Sequence, residues 1–403
     1  MSPFVWIDHS EKQRRQVLEA IDQFREKDTR DELGTAGIRD AFSDLLFPGT
    51  GALQTRARYF LFIPWMYRQM EDRKVPSSEI GRKVREFEIR LIDAFAASED
   101  SKGTIGIEAR ERLQRVPSSI YWNALKVLRI CEFQGSQADY QRSLDRFYQT
   151  RGRARLADDN EPAGPRAGNW DADLPSAPDG LPKEASFDLT PAEADYLHEM
   201  IRLHHPRSLF AFILDRPVSA DGANFPWDLD MLREAGDELR RQVEHARCFS
   251  EVRQGAAVLY NLLLSRMDPV REEVVKKCLG LWDDWLALMS SRREAHREWN
   301  LADFWRLLDQ QGRPPRRPTR DFVEAWHRLV VAQEPDGARE SESAQGLIKT
   351  RERAIKGALA RVDNQRAREM WRGESGLGQF DYRWSNALVI IRDIQEGLGP
   401  GHA

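Results

Sequence analysis

Between Thr150 and Glu184 the chain carries Pro162, Pro165, Pro175, Pro178 and Pro182 amid Gly, Asp and Ala, with Trp170, Leu174 and Leu181 as isolated large apolar residues. Each proline removes a backbone donor and biases the residue before it away from the helical region. A stretch so poor in apolar side chains cannot offset its ordering entropy by burial. Residues 150–189 therefore predict a linker. It divides the 403 residues into an N-terminal domain over 1–149 and a larger C-terminal domain over 190–403. Thr190-Pro-Ala-Glu193 ends the linker sharply, because a capping box with proline at the first helical position starts a helix.

Both flanks read as helix. Apolar residues recur at three- and four-residue spacing, and no sustained alternation of period two marks a sheet. In the first half, helices are expected near 10–26, 36–46, 55–72, 77–97, 107–115, 119–130 and 136–149, with Pro64 kinking the third. In the second half they are expected near 191–204, 207–214, 229–247, 251–266, 271–297, 301–310, 320–332, 344–372 and 381–397. Phe4–Ile7 and Arg58–Ile63 are the places where a short strand would fit. Gln254–Leu264 is apolar nearly all round, the mark of a central helix, and Gly255, Ala256 and Ala257 would let a neighbour come close. The expected fold class is mainly α, two helical domains joined by a Pro-rich linker.

The 61 basic and 65 acidic side chains leave a net charge of −4, on a charge-dense surface. No apolar run approaches the roughly 20 residues of a membrane span. The N-terminus lacks the basic region and apolar core of a signal peptide. Cys131, Cys248 and Cys278 are too far apart for a metal or redox motif. These features predict a cytoplasmic protein with buried thiols and no membrane partner.

Motifs that would name a reaction are weak. Asp195, His198 and His205 could share a helix face as metal ligands, but a fourth ligand is missing. His204 and His205, just before Pro206, equally suit a helix end whose negative dipole they complement. Arg240–His245 and Arg320–His327 match the Arg/His spacing of helical ribonucleases, yet chance alone supplies roughly three such matches in a chain this rich in arginine. Phe47-Pro-Gly-Thr-Gly51 lacks the lysine of a phosphate-binding loop and reads as a turn. No catalytic residue, metal or cofactor is assigned from the sequence.

Two stretches suggest binding. Ile107–Gln114, a turn at Arg115–Ser118 and Ser119–Ile130 could form a helix-turn-helix within 77–130, part of a winged-helix-like unit. Ser119, Tyr121, Asn123 and Lys126 would then stand where a recognition helix meets base edges. The second stretch is the helix expected over 344–372. At 100° per residue, Lys349, Arg353, Lys356, Arg361, Arg368 and Arg372 fall within an arc about 160° wide. Ile348, Ile355, Leu359, Val362, Met370 and Trp371 fall opposite, and Glu352, Asp363 and Glu369 lie outside the basic arc. Arg313, Arg316 and Arg317 in the Pro-rich loop upstream could extend the patch. Such a face suits a nucleic acid or an acidic protein surface.

Several segments carry a family resemblance. They are Glu32-Leu-Gly-Thr-Ala-Gly-Ile-Arg-Asp-Ala-Phe-Ser-Asp-Leu-Leu-Phe-Pro-Gly-Thr50, Gln54-Thr-Arg-Ala-Arg-Tyr-Phe-Leu-Phe-Ile-Pro-Trp65, Pro117-Ser-Ser-Ile-Tyr-Trp122, Phe249 with Gly255-Ala-Ala-Val-Leu-Tyr-Asn261, and Phe380-Asp-Tyr-Arg-Trp384. Over nearly its whole length the chain resembles a bacterial family of unknown function, full-length proteins of about this size encoded near helicases and other antiviral-defence genes. The resemblance implies a context and transfers no active site. The expected function is a non-enzymatic accessory subunit of a defence system that binds nucleic acid, or a helicase or nuclease partner. The alternatives are a nuclease-like effector using Arg240 and His245, and a purely structural adaptor.

Overall fold

The computed structural model describes residues 32–157, 168–216, 223–312, 314–332, 337–371 and 373–399. The helix expected near 10–26 and the strand expected at Phe4–Ile7 lie outside them. Among the described residues the protein is mainly helical, and the β pairing is limited to an isolated bridge between Cys131 and Trp170. Arg58–Ile63 is not a strand: it enters the helix Tyr59–Asp72, which carries Pro64 inside it. No described helix is long and apolar enough to cross a membrane. Cys131, Cys248 and Cys278 are buried free thiols.

The chain forms two compact units, and each takes residues from two separate stretches. The first falls within Met1–Phe42 and Arg241–Phe380, the second within Ser43–Arg240 and Asp381–Ala403. This division differs from the cut expected at 150–189.

The first unit is organised on the helix Asp237–Arg266, which runs unbroken where two helices, 229–247 and 251–266, were expected. From Val252 to Leu264 it is buried almost throughout, as its all-round apolarity requires. Gly255 explains how neighbours reach it: a Cβ there would collide with the indole of Trp285. Trp285 Nε1 donates to the Glu251 carbonyl at 2.8 Å, and Trp326 Nε1 donates to that of Val252 at 2.8 Å. The expected helix 271–297 divides into Glu272–Ser291 and Arg293–Glu298.

The second unit is built around Tyr59–Asp72, with Ile80–Ala97 and Pro117–Val127 against it. The helix Pro191–His204 starts at the expected capping box: Thr190 Oγ1 accepts from the Glu193 amide, and Glu193 reaches back to the Thr190 amide. The C-terminal helix Trp384–Leu398 packs on it. Residues 168–189 do not behave as a tether, which corrects the linker expectation for that part. Trp170, Leu174 and Phe187 are buried. Trp170 Nε1, Asn169 Nδ2 and the Tyr140 hydroxyl all donate to Glu71 Oε1, at 3.1, 2.9 and 2.6 Å. Of the isolated anchors of the sequence, Trp170 is thus brought to a buried carboxylate, and that polar knot adds to the burial of Leu174 and Phe187.

Candidate functional site

The expected basic helix is broken. It runs from Glu342 to Lys356, tightens into a 3-10 turn at Gly357–Leu359, and resumes only as Gln365–Glu369. Gly357, at φ 53°, closes the first segment, a backbone region that glycine enters freely. The break rearranges the charges. Asp363 leaves its helical-wheel position and takes Arg353 in a two-pronged pair, with Nε and Nη2 at 2.7 and 2.8 Å. Lys356 and Arg361 both reach the buried carboxylate of Glu32, and both approach the Tyr260 hydroxyl at 3.3 Å. Arg368 Nη1 donates to the Arg361 carbonyl. Lys349 is half-buried, and Arg317 pairs with Asp321 at 2.8 Å while Arg316 is exposed. Arg313 and Arg372 lie outside the described residues. The single arc of free cations does not form, because the segment that carried it is not one helix.

The same break corrects the apolar stripe. Ile348, Val362 and Trp371 are buried, but Ile355, Leu359 and Met370 are 38, 64 and 72% exposed. Val270 (92%) and Met267 (39%) join them. The two segments are tied together: Arg368 Nη1 stands 3.6 Å from Met267 Sδ, and Arg271 Nη2 donates to the Trp371 carbonyl at 2.6 Å. The product is a set of exposed large apolar side chains on these two segments, with the guanidinium groups of Arg368 and Arg271 at the contacts between them. Sequence reasoning missed it because the wheel placed Ile355, Leu359 and Met370 inside and did not take in Met267 or Val270.

In the second unit the expected helix-turn-helix lacks its first helix. Ile107–Gln114 is turn, with a single 3-10 turn at Arg110–Arg112. Tyr121, expected to face bases, is core: its hydroxyl accepts from the amides of Thr55 and Arg56 and donates to the Arg56 carbonyl. Ser119 is exposed and donates to the Val116 carbonyl at 2.8 Å. Asn123 and Lys126 are brought together with Arg129, Gln134, His204 and His205 around an open cleft of about 480 Å³. His205 Nε2 donates to the Val127 carbonyl at 3.0 Å, and burial pushes its pKa down.

The histidines of the first unit are fixed elsewhere. Trp299 Nε1 donates to His245 Nδ1 at 2.9 Å, and His245 Nε2 donates to Asp303 at 3.0 Å. Both ring nitrogens are occupied, and burial holds the imidazole pKa low. Arg240 pairs with Asp237. His327 Nε2 donates to the His296 carbonyl at 3.0 Å. In the second unit, His198 is turned to Asp215 at 2.7 Å rather than toward His205.

Among the described residues, the group whose potential metal-binding atoms converge is Cys248, Glu251 and His296, all within 4.8 Å of one another. The three-residue spacing of Cys248 and Glu251 on one helix was a legible signal; His296 was not. Glu251 already accepts from Arg247 Nε at 2.8 Å and Arg292 Nε at 3.3 Å. His296 Nε2 stands at 2.9 Å, off the line a hydrogen bond prefers. Burial would raise the Glu251 pKa, but these cationic neighbours win and hold it low. Burial and the nearby Glu244 push the Cys248 thiol well above its ordinary value. A metal would need the thiolate and would compete with two guanidinium groups for one carboxylate. The cluster is better suited to holding buried charge than a metal ion.

No curated protein matches the chain, and neither does any solved structure. The model of a family of unknown function, DUF6361, spans residues 1–396. With nearly the whole chain covered and both candidate surfaces inside that span, the protein belongs to the DUF6361 family.

Proposed function

We propose that the protein is a non-enzymatic accessory subunit of a bacterial antiviral-defence system, and that it docks a helicase- or nuclease-class partner through the first unit. One observation carries the docking role. Met267, Val270, Ile355, Leu359 and Met370 stand exposed on two segments held together by Arg271 and Arg368. Methionines and branched residues with no cover are costly in water and adaptable in an interface. Between Lys349 and Trp371 the chain carries seven cations against three acids, and Asp363 and Glu32 take Arg353, Lys356 and Arg361. The surface therefore favours a partner that offers apolar side chains rather than one that binds by charge alone. The defence context rests on the family resemblance described above. Against the nuclease alternative stands His245: with one nitrogen accepting from Trp299 and the other donating to Asp303, it has no lone pair free to take a proton from a nucleophile.

The test is co-purification with co-expressed genomic neighbours, with and without nuclease treatment. Leu359→Glu with Met370→Glu should abolish capture of the partner and leave the melting temperature unchanged. Capture that survives this double change refutes the docking surface. Degradation of RNA or DNA by the purified protein, lost on His245→Ala, refutes the non-enzymatic reading.

A further inference from the structure

We infer that the cleft of the second unit lined by Asn123, Lys126, Arg129, Gln134, His204 and His205 binds a nucleotide phosphate. The inference is independent of the docking surface, since every residue it uses lies in the other unit.

The charge of the lining comes first. Lys126 and Arg129 supply basic side chains, His204 and His205 stand beside them, and no carboxylate lines the cleft. Some of this charge has local work. The helices Pro117–Val127 and Pro191–His204 both end here, so their negative dipole ends attract cations. Lys126 Nζ donates to the Gly135 carbonyl at 3.3 Å, and His205 is spent on the Val127 carbonyl. Arg129 and His204 are exposed, and their side chains make no hydrogen bond or ion pair with the described residues. A helix end is answered within its last turn by roughly half a charge. Positive charge is left over.

The backbone supplies a second observation. Arg129 sits at φ 61°, just past the end of its helix. That is where glycine normally closes a helix, because a Cβ in the left-handed region crowds the chain. Arginine is an unfavourable choice for making this turn, and what it adds is a guanidinium at the mouth of the cleft. A guanidinium matches a phosphate with two parallel donors.

The neutral lining narrows the class. The exposed amide of Asn123 can both donate and accept, and Gln134 spends only one donor, Nε2 on the Glu132 carbonyl at 3.0 Å. Amides of this kind suit the mixed edges of a base or sugar. A volume of about 480 Å³ lies within the range of small-molecule sites. The phosphate could come from a free mononucleotide or from a strand, and the chemistry that holds it is the same.

The experiment uses the full chain, with AMP titrated calorimetrically and a fluorescein-labelled oligothymidylate of roughly 20 nucleotides followed by anisotropy. Saturable AMP binding that displaces the strand assigns a mononucleotide site. Strand binding without AMP binding assigns the phosphodiester backbone, and its salt slope should shrink by roughly 0.7 for each contact removed. Arg129→Gly is the decisive variant. Glycine fits the backbone better, so the melting temperature should hold or rise while affinity falls at least about tenfold, or about 1.4 kcal/mol. Asn123→Asp, which puts a carboxylate at an exposed position, should weaken binding without touching the core. Binding of neither probe overturns the inference. So does unchanged affinity in Arg129→Gly, or a lowered melting temperature in that variant, which would make the guanidinium a structural prop.

Discussion

Gly255→Ala separates two effects that act in opposite directions. In a helix interior, alanine is better than glycine by about 0.5–1 kcal/mol, because it restricts the unfolded chain. Here the added methyl would overlap the six-membered ring of Trp285. The indole has no room to retreat. It is fully buried, donates to the Glu251 carbonyl at 2.8 Å, stacks on Trp326 and abuts Trp282. Moving it strains the packing by about 1–3 kcal/mol and weakens a hydrogen bond worth about 1 kcal/mol. The expected sum is a loss of about 2 kcal/mol despite the helix-propensity gain. Gly280→Ala provides the control. That glycine is an exposed position of Glu272–Ser291, and a Cβ added there would meet nothing within 4 Å. Propensity alone then acts, and stability should rise by about 0.5–1 kcal/mol. Equilibrium urea unfolding followed by tryptophan fluorescence measures both. If both variants shift the midpoint upward, the close approach of Trp285 to the helix is refuted.

Glu32→Gln should destabilise the protein by about 3 kcal/mol in the same assay, since it takes the carboxylate from Arg361 and leaves Lys356 with Glu352 at 3.4 Å; a change under about 0.5 kcal/mol would mean the pairs contribute nothing. Glu88 is buried with Oε1 accepting from the Ser118 amide at 2.7 Å, and burial raises its pKa to about 7. Its folded pKa lies above its unfolded one, so the stabilisation from proton uptake is complete below about pH 4.3 and is lost as pH rises through about 7, a cost approaching roughly 3 kcal/mol. Glu88→Gln should therefore gain stability relative to the native protein as pH rises across that window, and a flat difference would count against the shift. Burial lowers the pKa of His245 and of His327. Their folded values lie below the unfolded one, so stability present above about pH 6.5 should fall as pH drops through the lowered values; His245→Gln with His327→Gln should reduce that acid sensitivity, and unchanged acid midpoints would refute it.

What the sequence made legible was local and periodic. The Thr190–Glu193 capping box needs only four residues and one backbone geometry, and it forms as read. The all-round apolarity of Gln254–Leu264 could only describe a helix surrounded by others, and Gly255 marks where one of them comes closest. Failures came where a distant partner decided the outcome. Residues 168–189 have too little apolar surface to order themselves, but Glu71 gathers the donors of Asn169, Trp170 and Tyr140, and no local pattern encodes a carboxylate a hundred positions upstream. The helix over 344–372 satisfied a wheel for its whole length, yet Gly357 gave it a place to stop.

That stop is where the candidate function resides. A continuous helix would have buried Ile355, Leu359 and Met370 on one side and shown six cations on the other. The broken segment does the reverse: Glu32 and Asp363 neutralise three of the cations, and the three apolar side chains are left in solvent. Salt then becomes a diagnostic. A surface that binds through unpaired cations weakens steeply as ionic strength rises, whereas one that binds through Met267, Val270, Leu359 and Met370 loses little and can strengthen in kosmotropic salts. Partner capture by the first unit should persist in high salt. Nucleotide phosphate held in the cleft at Lys126 and Arg129 should be released by the same treatment, so one titration assigns each ligand to its unit.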